Sequence, residues 1–438
     1  MSVSYAANSL DGLWMPFTAN RDFKADPRMV VRAEGIYYWN HHGERVLDGS
    51  SGLFCCAAGH GRGEIAQAVA AQLTALDFAP PFQFGHPAAF ELARRIATHT
   101  PAGIDHVFFV NSGSEAIDTA MKIALAYHHA CGQPQRQRFI SRERAYHGVN
   151  LGGTALSGIV NNRKVFGPGL ATVAHMRHTH LPEHRLVKGQ PEIGAALADD
   201  LQRLCELYGG NTVAACFVEP IAGSIGVLVP PVGYLERLRE ICDQQGILLV
   251  FDEVICGFGR TGQPFAAQSF GVTPDIITMA KALTNGAQPL GAVAVRDSIY
   301  DAVTGATAVG GIEFYHGYTY SGHPAACAAG LATLDIYERE QLFTRAAELA
   351  PHFLDTVFEL ADIPGVTDIR GYGLLAAVDL EPLAVPGRRG LQAQKRLFAA
   401  GLYLKMTGDT AIIAPPLTAT RTDIEELCGT LRQVLESG

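Results

Sequence analysis

The run Ile247-Leu-Leu-Val-Phe251 is continuously apolar, too short for a membrane-spanning helix, and ends abruptly in Asp252 and Glu253. An apolar run of that kind bounded by charge is the pattern of a strand buried on both faces of a parallel sheet, with its acids emerging at the carboxyl edge. A second apolar stretch, Ile276-Ile277, delivers Lys281 one crossover later. Open α/β sheets bind their ligands at the edge where both side chains would stand.

A carboxylate and an amine at two neighbouring strand ends suit one chemistry in particular. Pyridoxal phosphate is held as a Schiff base by a lysine while an aspartate pairs with its pyridinium nitrogen, and the ring then takes up electrons from a substrate carbon. Taken alone, Asp252 reads first as a solvated strand end and Lys281 as a surface amine, so other stretches have to decide.

At 438 residues the chain exceeds the size at which one core stops growing, and two or three domains are expected. Charged residues at 18% and hydrophobic ones at 48% argue against disorder, and a formal charge of −9 gives no general attraction for nucleic acid or anionic membrane. The nine cysteines are odd in number, lack a Cys-x-x-Cys pair and include the adjacent Cys55 and Cys56. A disulfide framework is therefore not expected, and a reducing, cytoplasmic setting is. The N-terminus lacks the basic flank and apolar core of a secretory signal, and the uncharged stretch Gly317 to Leu334 is broken by Ser321, His323 and Pro324, which argues against a membrane span.

Along the chain, Leu13-Trp-Met-Pro-Phe17 leads into Ile36-Tyr-Tyr-Trp39, the turn Asn40-His-His-Gly43 and Val46-Leu-Asp48, which read as a small hairpin. A helix is expected from Glu64 to Leu76, on the spacing of Ile65, Val69, Leu73 and Leu76. In the exposed loop Pro80-Pro-Phe82-Gln-Phe84, the two aromatics read equally as the lining of a ligand mouth and as packing or interface residues. The strand Val107 to Val110 passes through Asn111-Ser112-Gly113-Ser114 directly into a helix carrying Ile117, Met121, Ala124 and His128. Free N–H groups and the helix dipole would hold a phosphate there, although taken alone Ser112 reads first as an ordinary N-cap.

Tyr146-His147-Gly148 follows the strand-like Arg138-Phe-Ile-Ser141 and could lay a flat ring against a cofactor. The stretch Gly158 to Gly189 reads as irregular. Its His175, His178 and His180 have no acidic or cysteine partner at ligand spacing, so no metal site is expected. Val213 to Val218 is a third buried run ending in an acid, Glu219. Strand and helix alternate from 107 to 295, as a mainly parallel sheet requires, and composition shifts after Leu334 to Ala-Glu-Leu helices and a hairpin-like pair at Val366 to Leu380. The expected division is an N-terminal segment, 1–60, packing with the small domain; a large domain, 61–333; and a small α+β domain, 334–438.

Gly257-Phe-Gly259-Arg-Thr-Gly262 matches the dinucleotide fingerprint and raises a rival, an NAD-dependent oxidoreductase. That fingerprint belongs in the first strand-to-helix turn, whereas here Asp252 and Glu253 would repel a pyrophosphate and Gln263-Pro264 opens no long helix.

In their order, Asn111-Ser-Gly-Ser-Glu-Ala116, Tyr146-His-Gly148, Val218-Glu-Pro220, Phe251-Asp-Glu-Val254, Pro274-Asp275, Met279-Ala-Lys281, Tyr318-Thr-Tyr-Ser-Gly-His-Pro324 and Ala414-Pro-Pro-Leu417 resemble the class III pyridoxal-phosphate aminotransferases. Val229-Pro-Pro-Val-Gly-Tyr234 and His316-Gly-Tyr-Thr-Tyr-Ser321 are similar to the ω-amino acid (β-alanine):pyruvate and amine:pyruvate transaminases. The resemblance implies an α/β protein of fold type I, like aspartate aminotransferase, forming a homodimer with shared active sites or a tetramer. It also implies transfer of an amino group from a donor to pyruvate. By the same likeness Lys281 forms the Schiff base and moves the proton, Asp252 pairs with the ring nitrogen, and Ser112, Gly113 and Ser114 hold the phosphate. Tyr146 and Val254 sandwich the ring, Glu219 stands near the phenolic oxygen, His147 and Tyr318 add cofactor contacts, and Thr319 reaches the partner subunit's phosphate.

The substrate pocket implied in this way comprises Phe17, Phe54, Phe82, Phe84, Tyr146, Ser224, Lys405 and Arg421, with Arg421 matching the movable arginine of the amine transaminases. Two positions depart from the pattern. Phe54 stands where many relatives place Trp, and Lys405 where the β-alanine enzymes carry Arg. Lysine cannot make arginine's planar two-point clamp on a carboxylate, which leaves that task to Arg421. A class III decarboxylase, racemase or aminomutase would keep the same cofactor residues and is the alternative reading.

Overall fold

The computed structural model describes residues 10–167 and 169–437; the first nine residues, within the stretch read as lacking a secretory signal, lie outside them. Three strands come first, β1 (Val30–Glu34), β2 (Tyr37–Asn40) and β3 (Arg45–Asp48), so the expected hairpin gains a third strand. The main sheet takes β4 (His106–Val110), β5 (Arg138–Arg142), β6 (Val173–Met176), β7 (Val213–Val218), β8 (Leu248–Asp252), β9 (Ile276–Met279) and β10 (Gly291–Val295) in the order β4-β10-β9-β8-β7-β5-β6. Within it β10 alone runs antiparallel to its neighbours.

Every residue of β7, β8 and β9 is buried, which is why these strands carry uninterrupted apolar runs rather than alternation. Val218 pairs with Phe251 and Asp252 with Thr278. Glu219, Asp252 and Lys281 therefore leave three adjacent strands at one edge of the sheet.

The stretch expected to be irregular, Gly158 to Gly189, contains β6, a parallel edge strand beside β5. Its four residues alternate between buried and half-buried, too short a pattern to stand out. The histidines nearby have local partners: His175 Nε2 contacts the carbonyls of Leu156 and Ser157 at 3.1 Å each, and His180 Nε2 lies 3.1 Å from Asp368 Oδ2. The helix expected at Glu64 to Leu76 occupies Gly63–Ala75.

The C-terminal part contributes β11 (Val366–Tyr372), β12 (Leu375–Leu380), β13 (Leu402–Tyr403), β14 (Lys405–Thr407) and β15 (Thr410–Ile413). Strands β11-β12-β15-β14 form an antiparallel sheet, whereas β13 pairs in parallel with β3 and ties the two ends of the chain together. No described helix is long and apolar enough to cross a membrane.

The glycines of the dinucleotide-like motif serve packing. Gly259 has φ +94°, and a Cβ there would fall 2.4 Å from Phe343 Cδ1; at Gly262, φ +88°, it would fall 2.9 Å from Ala347 Cβ. Both contacts are with the helix Leu342–Phe358, and the loop is followed by only one short helix, Ala266–Ser269. Glu253 closes that arrangement by accepting the N–H groups of Ala266 and Ala267 at 2.9 and 2.7 Å.

Candidate active site

At the carboxyl edge of β7, β8 and β9 a cavity of about 200 Å³ is lined by Gly113, Ser114, Tyr146, His147, Gly148, Glu219, Asp252, Val254, Ile255, Ala280 and Lys281. The helix Gly113–Ala130 begins at its wall. Ser112 caps that helix, its Oγ accepting the Glu115 N–H at 3.2 Å, and the Glu115 carboxylate reaches back to the Asn111 N–H at 2.7 Å. With the Ser112 side chain committed to capping, Gly113 and Ser114 are the residues that face the cavity. Close approach is required here: a Cβ on Gly113 would meet the Val254 methyls at 3.1 Å, and one on Gly148, φ +92°, would fall 2.4 Å from Ser114 Oγ.

Asp252 is held at two points, its Oδ2 accepting from His147 Nδ1 at 2.8 Å and its Oδ1 from the Val254 N–H at 3.1 Å. His147 is buried and its Nε2 has no protein partner. Glu219 Oε1 accepts the Tyr146 N–H at 2.9 Å. Burial pushes the Glu219 carboxyl up to about 7, reinforced by Asp252 and opposed by His147 and the Tyr146 N–H. Burial, with Asp252 and Glu219, also raises the Tyr146 phenol. The Lys281 amine is displaced downward by desolvation, with Cys55, Asp252 and Glu219 pulling the other way. Its Nζ lies 5.8 Å from the centroid of the buried Phe54 ring.

These residues fit pyridoxal phosphate. The N-terminus of an 18-residue helix offers an anion its free N–H groups beside two positions that tolerate little beyond hydrogen. A fixed carboxylate suits a protonated ring nitrogen, and an amine lowered by burial suits bonding to an aldehyde. Gly148, Ile255 and Ala280 complete the lining. Of these Gly148 and Ala280 had sequence signals, in Tyr146-His-Gly148 and Met279-Ala-Lys281, and Ile255 had none.

Other predicted residues lie apart from this cavity. Phe17, 79% exposed, lines a larger cavity of about 470 Å³ with Tyr38, Gly52 and Tyr403. Phe82 and Phe84 line a third, with His316 and Gly317, and Thr319 is exposed. Tyr318 is half-buried, its ring 5.1 Å from that of His316. The Ser224 carbonyl accepts from Thr407 Oγ1 at 2.9 Å. Lys405 Nζ turns back to the Met406 carbonyl at 2.7 Å, and burial displaces its amine downward. Arg421 is exposed at the first turn of the helix Arg421–Glu436.

A family model, Aminotransferase class-III, matches residues 18–435. The ω-aminotransferase of Caulobacter vibrioides is 52% identical over 434 residues, 98% of each chain. The ω-amino acid–pyruvate aminotransferase of Pseudomonas putida is 48% identical, covering 97% of this chain and 96% of that protein. Among solved structures, an (S)-enantioselective ω-transaminase from Thermomicrobium roseum matches with a TM-score of 0.91 at 36% identity, over 97% of this chain and 96% of that one. An ω-transaminase from Pseudomonas jessenii in complex with PMP matches with a TM-score of 0.91 at 32% identity, again over 97% and 96%.

Proposed function

Because the chain belongs to the class III aminotransferases, we propose that it is a pyridoxal-phosphate-dependent ω-transaminase, moving an amino group from a β-alanine-like ω-amino acid or a primary amine to pyruvate and so forming alanine. The observation that carries this reading is the convergence of Lys281, Asp252, Glu219, Gly113 and Ser114 on one cavity. The names of relatives 48% identical over nearly the whole chain support pyruvate as the acceptor.

Pyridoxal phosphate supplies an aldehyde carbon that takes the amino group and a ring that draws electrons from the substrate carbon. In this reading Lys281 Nζ would hold the cofactor and would serve as the base that moves a proton; desolvation favours the neutral amine that both tasks need. Asp252, anchored by His147 and the Val254 N–H, keeps the ring nitrogen protonated. Gly113 and Ser114 hold the phosphate, assisted by the cap at Ser112. Tyr146 and Val254, both lining the cavity, would flank the cofactor's ring, and Glu219 would stand near its phenolic oxygen. Phe54 forms a wall beside Lys281.

Phe82, Phe84, Tyr318 and Thr319 lie outside the Lys281 cavity, which supports assigning them to a homodimer in which they serve the site of the second subunit. The three sheets support a division into 1–60, 61–333 and 334–438, and nine unpaired cysteines accord with a cytoplasmic setting. The test is a donor panel of β-alanine, longer ω-amino acids, taurine and 1-phenylethylamine with pyruvate as acceptor. Alanine formed in equal amount to donor consumed is the expected result; release of carbon dioxide without alanine would instead indicate a decarboxylase.

A further inference from the structure

Residues Ser51 to Phe54 form a turn in which four successive residues have left-handed backbone: Ser51 (φ +48°), Gly52 (+54°), Leu53 (+73°) and Phe54 (+68°). L residues visit that region singly rather than in runs, and such a turn persists only where its surroundings over-determine it. The surroundings here are specific. Arg260, 2% exposed, donates through Nη2 to Ser51 Oγ at 3.1 Å and through Nη1 to the carbonyls of Leu374 and Pro415 at 3.2 and 2.5 Å. Ser51 Oγ in turn donates to the Ala414 carbonyl at 2.7 Å. Tyr38 Oη seals the outer side, 2.6 Å from where a Cβ on Gly52 would stand.

The following segment is fastened to the end of the turn that Lys281 begins. Asn285, immediately after the 3-10 turn Lys281–Thr284, accepts the Ala58 N–H at 2.8 Å and donates to the Gly59 carbonyl at 2.7 Å. Phe54 lies between the two fastenings with its ring against Lys281 Nζ. Arg260 is a buried cation whose hydrogen-bond acceptors are all neutral, so no carboxylate bonded to it offsets the cost of taking its charge out of water.

We propose that Arg260 is a positioning residue for transamination: through Ser51 it locks the left-handed turn that sets Phe54 against Lys281. This rests on Lys281 being the reacting amine. If the lock is loosened, the Phe54 ring withdraws and water reaches Nζ.

The experiment compares Ser51→Ala, Arg260→Lys and the double variant as cofactor-loaded enzymes. The readouts are Tm, kcat and KM for β-alanine with pyruvate, and the pH midpoint of the visible band of the cofactor bound at Lys281. The expected result is kcat lowered about tenfold or more with KM for pyruvate near wild type, and a midpoint moved upward because a better-solvated nitrogen keeps its proton. The double variant should lower kcat by less than the product of the two single effects, since both substitutions share the loss of the Arg260–Ser51 contact. Should Arg260→Lys fail to fold, Ser51→Ala decides alone, because it leaves Arg260 its two carbonyls. A folded Ser51→Ala enzyme with wild-type kcat and midpoint would overturn the proposal. The midpoint comparison stands even if the wild type makes no alanine, so failure of the substrate assignment is read separately.

Discussion

His147 Nδ1 donates to Asp252 Oδ2 across 2.8 Å at the end of β8, with both side chains buried. The Val254 N–H fixes the other oxygen, so the protein itself orients the carboxylate. Asp252→Asn keeps the size and removes the charge, and His147 can still bond the amide by switching tautomer. The expected outcome is a folded protein whose half-reaction with the amino donor slows by on the order of a hundredfold to a thousandfold. Stopped-flow absorbance measures it; an unchanged rate would separate Asp252 from the ring nitrogen.

Lys281→Ala removes an amine that burial already disfavours in its charged form. Turnover should fall by at least about a thousandfold, while Tm holds or rises, because no buried ion pair is broken. Alanine formation and calorimetry together check this, and the variant should lack the borohydride-sensitive visible band of the wild type.

What could be read in the sequence follows from what is local. β7, β8 and β9 were legible because burial on both faces writes an unbroken apolar run ending in charge, and the phosphate-side helix because strand, glycine and helix are contiguous. β6 was not, being a four-residue edge strand. Gly259 and Gly262 of the dinucleotide-like motif answer to Phe343 and Ala347, far along the chain, so their packing role has no local signature. The left-handed turn at Ser51 to Phe54 contains a single glycine and is set by Arg260 from a distant loop. Phe82 was singled out from its exposed aromatic loop and Thr319 by resemblance, and nothing in their order along the chain tells that they stand away from Lys281.

Stability of the cofactor-free protein should depend on pH through two carboxyls. Burial is the largest cause pushing Glu219 and Glu253 each up to about 7 from 4.5. Between those values the folded protein holds protons that the unfolded chain has lost, so unfolding free energy falls as pH rises through that window and levels off above it. Glu253→Gln keeps an acceptor for one of the Ala266 and Ala267 N–H groups and should flatten the slope by about one proton. Thermal unfolding of wild type and variant across the window measures the difference; equal slopes would mean that Glu253 is ionised throughout.

The substrate carboxylate tests the two cations against each other. Lys405 Nζ is already engaged with the Met406 carbonyl, and its amine is lowered by burial alone. Arg421 is exposed at the first turn of its helix, where a long side chain is free to swing toward a carboxylate and away from a neutral group. A bidentate, charge-assisted contact is worth about 1.5–3 kcal/mol. Arg421→Ala should therefore raise KM for pyruvate by about tenfold to a hundredfold, with a much smaller effect on a neutral arylalkyl amine donor. Lys405→Ala should change KM for pyruvate less than Arg421→Ala does. Steady-state kinetics with each substrate varied decides it, and the reverse ranking would transfer the carboxylate to Lys405, whose single ammonium can grip it at only one point.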